Sequence, residues 1–194
     1  MLRFSRIAIL DPNLIMKEWV EEDARDDVVL VRAATQDWLN KIREHEADAL
    51  YFRSQNFPLH LSAEISTLLQ AIQFPIIHRS DSPESILTQN FIALQYRPHE
   101  TPPHPRNFLA GASCHSLEDV LQAEKSGFDY VFLSPVFSTQ THPEATPLGL
   151  EAFRNICLQT QLPVIALGGI DETRAHKCME VGAAGIAGIR MFLR

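Results

Sequence analysis

Three places in the sequence bring together residue types that can do chemistry. The first is Ser113-Cys114-His115, where a thiol and an imidazole stand side by side at the end of an apolar run. A Cys–His nucleophile pair needs its side chains within hydrogen-bond reach. Neighbours on a strand point to opposite faces, so Cys114 turns away from His115 and is expected to be a small buried residue. Ser113 is read as sharing that alternation problem with Cys114. The second place is Gly168-Gly169, which follows the apolar run "PVIAL". Two glycines there let an anion approach backbone N–H groups, although a tight strand-to-helix turn would use them equally well. Gly188 and Ile189 are expected to supply the other half of such a phosphate site, with Arg190 binding the anion or filling the pocket. The third is a set of scattered histidines. His78, beside Arg79, ends another apolar run, whereas His99 and His104 fall in the proline-rich link "RPHETPPHP". Their spacing with no nearby cysteine reads as plain loop rather than a metal pair.

The elements that must position these residues alternate. In the C-terminal half, apolar segments 108–113, 130–134, 163–167 and 184–189 read as strands, and 116–127, 149–160 and 171–182 as helices. The helix at 116–127 carries Ser116 as N-cap, Asp119 in the capping-box position and Gly127 as its stop. Strands that are apolar throughout and separated by helices call for a parallel sheet buried on both faces. The N-terminal half adds strands at 6–10, 48–52, 74–78 and 91–95, with helices at 35–46 (capped by Thr35), 62–72 and 82–89. Eight strands with intervening helices predict a (β/α)8 TIM barrel spanning 1–194 as one domain. A doubly wound sheet, the rival, usually has its phosphate loop after the first strand; here the glycines cluster after the last two. In the barrel, His115 falls on the C-terminal, catalytic rim.

Two features strain that reading. Segment 11–34 is long for a loop, and its "VVLVRA" is expected to pair as an extra edge strand or pack as coil. The chain also leaves no room for a full eighth helix, so the eighth helix is expected to be missing or very short. The flank of strand eight would then need cover from "LIMKEWVEE" or from a partner subunit, which points to a homodimer.

The totals bound the rest. A 194-residue chain that is 45% hydrophobic and 21% charged is ordinary for a globular protein. A net charge of −7 argues against a nucleic-acid surface. Three cysteines (Cys114, Cys157, Cys178) fit neither a zinc pattern nor a disulfide framework. No segment reads as a signal peptide or as a membrane span of about 20 apolar residues. The expectation is a cytoplasmic protein.

"GASCHSLEDVLQAEKSGFDYVFLSPVFSTQTH", "LPVIALGGI" and "GAAGIAGI" together resemble the thiamine phosphate synthase/TenI family of (β/α)8 barrels, over roughly 108–190. "EHEADALYFRSQN" and "FPIIHRSD" extend the resemblance, standing where the family has its R-x-K and N-D-R-x-D motifs. The resemblance implies a phosphorylated heterocycle as ligand. It places Arg53, Ser113, Thr139, Thr141 and His142 among the contacts, beside Gly168, Gly169, Gly188, Ile189 and Arg190 at the phosphate.

The family has two activities. The synthase joins hydroxymethylpyrimidine diphosphate to thiazole phosphate, and Mg²⁺ carries the charge of the departing diphosphate. The sequence departs from that machinery. Ile77-His78 replaces the Asn-Asp pair, Pro98 falls at the acidic position after strand four, Gln55 replaces the Lys of R-x-K, and His142 stands where Lys is usual. His78 is a candidate substitute for a lost polar ligand, while Arg79 and Asp81 match the R-x-D remainder as an ion pair. The second activity, aromatisation of a thiazole carboxylate phosphate, needs no metal. It needs a proton carrier with a pKa near neutrality, and histidine's ordinary value is about 6.5. The S-x-H-S match at 113–116 assigns that role to His115, although synthases often carry S-x-H too. The expectation is therefore a TenI-like tautomerase without metal or other cofactor. A divergent synthase, using Mg²⁺, is the alternative, and a non-catalytic barrel that binds a related phosphate or a protein is a third.

Overall fold

Eight short apolar segments become eight parallel strands that close on themselves in sequence order. In this computed structural model, residues 4–19, 27–54, 57–72, 74–82 and 88–193 are described. The strands are β1 (Arg6–Leu10), β2 (Ala49–Phe52), β3 (Ile76–Arg79), β4 (Phe91–Tyr96), β5 (Leu109–Cys114), β6 (Tyr130–Leu133), β7 (Val164–Leu167) and β8 (Gly185–Gly188). β1 pairs with both β2 and β8, which closes the ring. The fold is a (β/α)8 TIM barrel.

Strand alternation sorts the side chains into two cores. Ile7, Ile9, Ala49, Tyr51, Ile77, Ala93, Tyr130, Phe132, Ile165 and Ala187 fill the barrel interior. Ala8, Leu10, Leu50, Phe52, Ala112, Cys114, Leu133, Ala166 and Ile186 point outward against the helices. The helices are α1 (Pro12–Trp19), α2 (Val28–Glu44), α3 (Leu59–Gln70), α4 (Leu117–Lys125), α5 (Gly149–Cys157) and α6 (Glu172–Glu180). α4 starts where the sequence places its cap, with Ser116 Oγ accepting from the Asp119 N–H. The Asp119 carboxylate reaches one residue further back than a capping box requires and accepts from the His115 N–H at 2.8 Å.

Two N-terminal expectations are corrected. "VVLVRA" is neither an edge strand nor coil but the first turns of α2, capped by Asp27, which accepts from the Val29 and Leu30 N–H groups. Thr35 is not a cap; it lies inside the helix and its hydroxyl donates back to the Val31 carbonyl at 2.8 Å. β-branched residues suit a strand locally, yet Val31, Thr35, Trp38, Leu39 and Ile42 form one buried helical stripe, and that packing decides. The helix expected at 82–89 falls mostly on residues 83–87, outside the described residues.

After β8 the chain makes only a 3-10 turn, Arg190–Phe192. Phe192 is fully buried and Arg6 lies over its ring at 5.7 Å. The outward face of β8 is also buried within the chain at Ile186. No helix among the described residues is long and apolar enough to cross a membrane.

Candidate functional site

On β2 to β5 the next inward-facing position, at or beyond the C-terminal end of the strand, is charged or a histidine. Tyr51 is followed by Arg53, Ile77 by Arg79, Gln95 by Arg97, and Ser113 by His115. Tyr51, Arg53, Arg79, Arg97, Ser113 and His115 line a cavity of about 510 Å³, together with Ser134, Pro98 and the β6–α5 loop residues Thr139, Thr141, His142 and Glu144. A second cavity of about 260 Å³ adjoins it, lined by Gly168, Gly169, Gly188, Ile189, Arg190 and Arg174. Thr139, Thr141, Leu167, Gly168 and Ile189 belong to both walls. Arg53, Ser113, His115, Thr139, Thr141, His142, Gly168, Gly169, Gly188, Ile189 and Arg190 thus each line one cavity or the other, and the two share part of their walls, whereas His78 lines neither.

The smaller cavity is built on glycine. Gly168 has φ +95° and Gly169 φ +65°, the left-handed region where only glycine is unstrained. A Cβ on Gly169 would run into the Ser138 carbonyl oxygen, and one on Gly168 would lie 2.7 Å from Pro135 Cα. The β6–α5 loop can pack this tightly because the Val136 and Phe137 N–H groups donate to Leu167 and Gly168 carbonyls at 2.9 and 3.0 Å. Arg174 closes the other side: its Nη1 donates to the Gly169 carbonyl at 2.8 Å and its guanidinium lies 5.0 Å from the Phe137 ring centre.

In the larger cavity, His115 is held at both ends. Its backbone N–H is tied to Asp119, and its Nδ1 lies 2.8 Å from the Ser134 carbonyl oxygen. A carbonyl only accepts, so the hydrogen bond assigns the proton to Nδ1 and leaves Nε2 as the acceptor in the neutral ring. Ser113 corrects the alternation argument. It lies two residues before His115, so it shares the His115 side, and its Oγ accepts from Gln95 Nε2 at 3.1 Å. Gln95 is buried, and Gly111 makes room for it, since a Cβ there would collide with Gln95 Oε1 and the Tyr130 ring. Cys114 points outward and is fully buried, and burial pushes its thiol up to about 12. It is a packing residue.

The arginines form the opposite wall. Arg79 donates through Nε and Nη2 to both Asp81 oxygens at 2.7 and 2.5 Å, and Arg97 Nη2 reaches Asp81 Oδ2 at 3.0 Å. That hydrogen bonding holds the Asp81 carboxyl below the usual range. Arg53 lies 3.8 Å from Asp11. Glu100 accepts from the Arg97 N–H at 2.6 Å and from Ser80 Oγ at 2.8 Å, joining the ends of β3 and β4. Burial pushes the Tyr51 phenol up to about 12, so it stays protonated near neutral pH.

His78 does not replace a lost ligand. It sits on the outward face of β3, fully buried between the rings of Phe52 and Phe91, with Nε2 3.2 Å from Thr88 Oγ1. His142 is exposed, 3.6 Å from Glu144. His99 and His104 line neither cavity. Gln55 lies outside the described residues. Sequence reasoning missed Arg97, Arg174, Ser134 and Gln95 as wall and support residues. For Arg97 a signal existed, because it lies two residues beyond Gln95 and so shares its inward face, whereas attention went to Pro98. Ser134 contributes through its carbonyl, which no residue type reveals.

Among the described residues no three His, Cys, Asp or Glu side chains assemble to hold a metal. Asp11, Asp81 and Glu100, the carboxylates behind the arginine wall, are committed to the donors just named, and Glu144, which lines the cavity, stands beside His142 with no second carboxylate. The donor set does not fit Mg²⁺.

Glycines after β7 and β8 line a cavity that adjoins an arginine-lined one, and both stand at the C-terminal rim of a TIM barrel. Sequence comparison places it more closely. The profile of the thiamine monophosphate synthase family matches residues 99–192. A thiamine-phosphate synthase of Pyrococcus furiosus is 32% identical over 152 residues, 74% of this chain and 73% of that protein. A putative thiamine-phosphate synthase 2 of Aquifex aeolicus is 49% identical over 87 residues, 45% of this chain and 47% of that one, so the match spans about half of that relative. The solved structure of thiamine phosphate pyrophosphorylase from Pyrococcus furiosus superposes with a TM-score of 0.69 at 26% identity, covering 96% of this chain and 85% of that one. The chain belongs to the thiamine phosphate synthase/TenI family.

Proposed function

We propose that the protein is a transferase of thiamine biosynthesis, joining a hydroxymethylpyrimidine diphosphate to a thiazole phosphate with release of diphosphate. The observation that carries this reading is the pair of adjoining cavities, each lined by arginines. Two phosphorylated halves laid end to end need such an arrangement. The names borne by its relatives favour the same chemistry over tautomerisation. The thiazole phosphate would sit in the Gly168-Gly169 and Gly188-Ile189 cradle under Arg174 and Arg190, and the pyrimidine diphosphate against Arg53, Arg79 and Arg97. The thiazole nitrogen then donates its electron pair to the pyrimidine methylene carbon. The carbon–oxygen bond to diphosphate breaks and diphosphate leaves with the bonding pair. Fixed guanidinium groups at the leaving oxygens stabilise the charge that develops there. Ser113 and His115 line the reacting end of the larger cavity and hold the heterocycles by hydrogen bonds. Mixing the protein with both halves is expected to yield thiamine phosphate and one equivalent of diphosphate, read by mass spectrometry. No product, with Mg²⁺ or without it, refutes the proposal.

One observation favours a second reading. The Ser134 carbonyl fixes His115 so that a single ring nitrogen is available for proton transfer. That suits the aromatising tautomerase acting on a thiazole carboxylate phosphate. Faster aromatisation of the non-aromatic tautomer, lost in His115→Asn, with no thiamine phosphate formed from the two halves, would select it.

A further inference from the structure

We propose that the arginine wall of the larger cavity binds a diphosphate without a divalent cation, with Arg97 supplying the positive charge that a metal ion would otherwise bring. The inference deepens the transferase reading and rests on it for the identity of the ligand.

The geometry of the wall carries it. Arg53, Arg79 and Arg97 stand at the ends of three adjacent strands, β2, β3 and β4, and all three line the cavity. Their carboxylate partners, Asp11 and Asp81, do not. Asp81 is shared between two guanidinium groups, so Arg97 has only a share of one carboxylate at its guanidinium, while Glu100 takes up its backbone N–H. The Arg97 side chain is 63% exposed, which leaves the guanidinium room to meet a ligand, while Glu100 clamps its backbone N–H and Ser80. An approaching anion therefore meets guanidinium first. Guanidinium forks match the paired oxygens of a diphosphate in both charge and shape. A divalent cation would meet three like charges; Asp11 and Asp81 do not line the cavity, and the one carboxylate that does, Glu144, stands on the β6–α5 loop beside His142 with no second carboxylate to share a cation. The wall thus has the sign and hydrogen-bonding pattern of an oxyanion site and lacks the donor set of a cation site.

Inorganic diphosphate is the probe, titrated into the full chain by isothermal calorimetry, once with EDTA and once with excess Mg²⁺. Binding is expected in EDTA, with no gain in affinity from Mg²⁺. Arg97→Ala is expected to weaken it about 10-fold or more, since it removes charge-assisted hydrogen bonds; unchanged thermal unfolding would show that this exposed position is not needed for folding. Binding that appears only with Mg²⁺, binding insensitive to Arg97→Ala, or no binding in either buffer overturns the inference. The product assay separates this from the transferase reading. Product formed while diphosphate binds only with Mg²⁺ leaves the transferase standing and removes the metal-free wall. Metal-free diphosphate binding with no product does the reverse.

Discussion

Acidification should destabilise this protein in part through a histidine that takes no part in its site. His78 is fully buried between Phe52 and Phe91, and burial lowers its pKa from 6.5 to about 4. The folded state therefore holds a neutral ring that the unfolded chain protonates more readily. The stability it contributes is complete above pH 6.5, falls as the pH drops through the interval, and is exhausted near pH 4. The gap between the two values, at about 1.4 kcal/mol per pH unit, corresponds to about 3 kcal/mol in total, of which about 2 kcal/mol is lost between about pH 7 and pH 5. His78→Gln isolates the effect. Glutamine keeps an acceptor near the Thr88 N–H and hydroxyl, which His78 Nε2 faces at 3.4 and 3.2 Å, but it binds no proton. Any packing cost beside the two phenylalanines applies at both pH values and cancels. Urea unfolding followed by circular dichroism at pH 7 and pH 5 should show the wild type losing about 2 kcal/mol more than the variant. Equal losses would refute the burial argument.

Other perturbations test the site and its frame. Gly169→Ala forces a Cβ into the Ser138 carbonyl at φ +65°. It should cost about 1–3 kcal/mol, seen as a lower Tm, and weaken inorganic phosphate binding; an unchanged Tm would mean that the loop yields freely. Phe192→Ala empties a fully buried position at the end of the chain and should cost about 3–5 kcal/mol in denaturant unfolding. A small loss would mean that the 3-10 turn does not seal β8. Burial raises Cys114 to about 12 and both Cys157 and Cys178 to about 11, so the native thiols should resist a thiolate-selective reagent at neutral pH and react only after denaturation. Cys114→Ala should leave turnover unchanged, and rapid native labelling of Cys114 would contradict its outward, buried placement.

The barrel was legible because its strands are short, apolar on both faces and punctuated by caps and glycines. Ser116, Asp119 and Gly168-Gly169 announce their local structure through side-chain hydrogen bonds or through the conformations only glycine tolerates. Segment 28–44 was harder because two signals disagree. Its opening valines suit a strand, whereas residues 31, 35, 38, 39 and 42 recur at helical spacing, and the longer pattern prevails once Trp38 and Ile42 are buried. At the site, alternation separated Cys114 from His115, but applied a residue further it should have returned Ser113 to the His115 side. Pairings such as Arg97 with Asp81, or His115 with the Ser134 carbonyl, join different strands across the rim. They depend on barrel closure and shear, which a single linear sequence does not display.

The same alternation explains how a chain with a net charge of −7 builds a wall for anions. In the pairing of β3 with β4, Arg79 lies level with Gln95, and in that of β4 with β5, Gln95 lies level with Gly111. Arg97 and Ser113 stand one inward layer higher, and His115 one higher again. The layers beneath are hydrocarbon and ring: Ile9, Ile77, Ala93 and Phe132. Charges set over that low-dielectric floor are poorly screened from below, so their field is directed into the cavity. No carboxylate enters the inner layers of β3: Ile77 joins the floor and His78 faces outward. Asp11, Asp81 and Glu100 instead hold the arginines of the wall from behind, and none of the three lines the cavity.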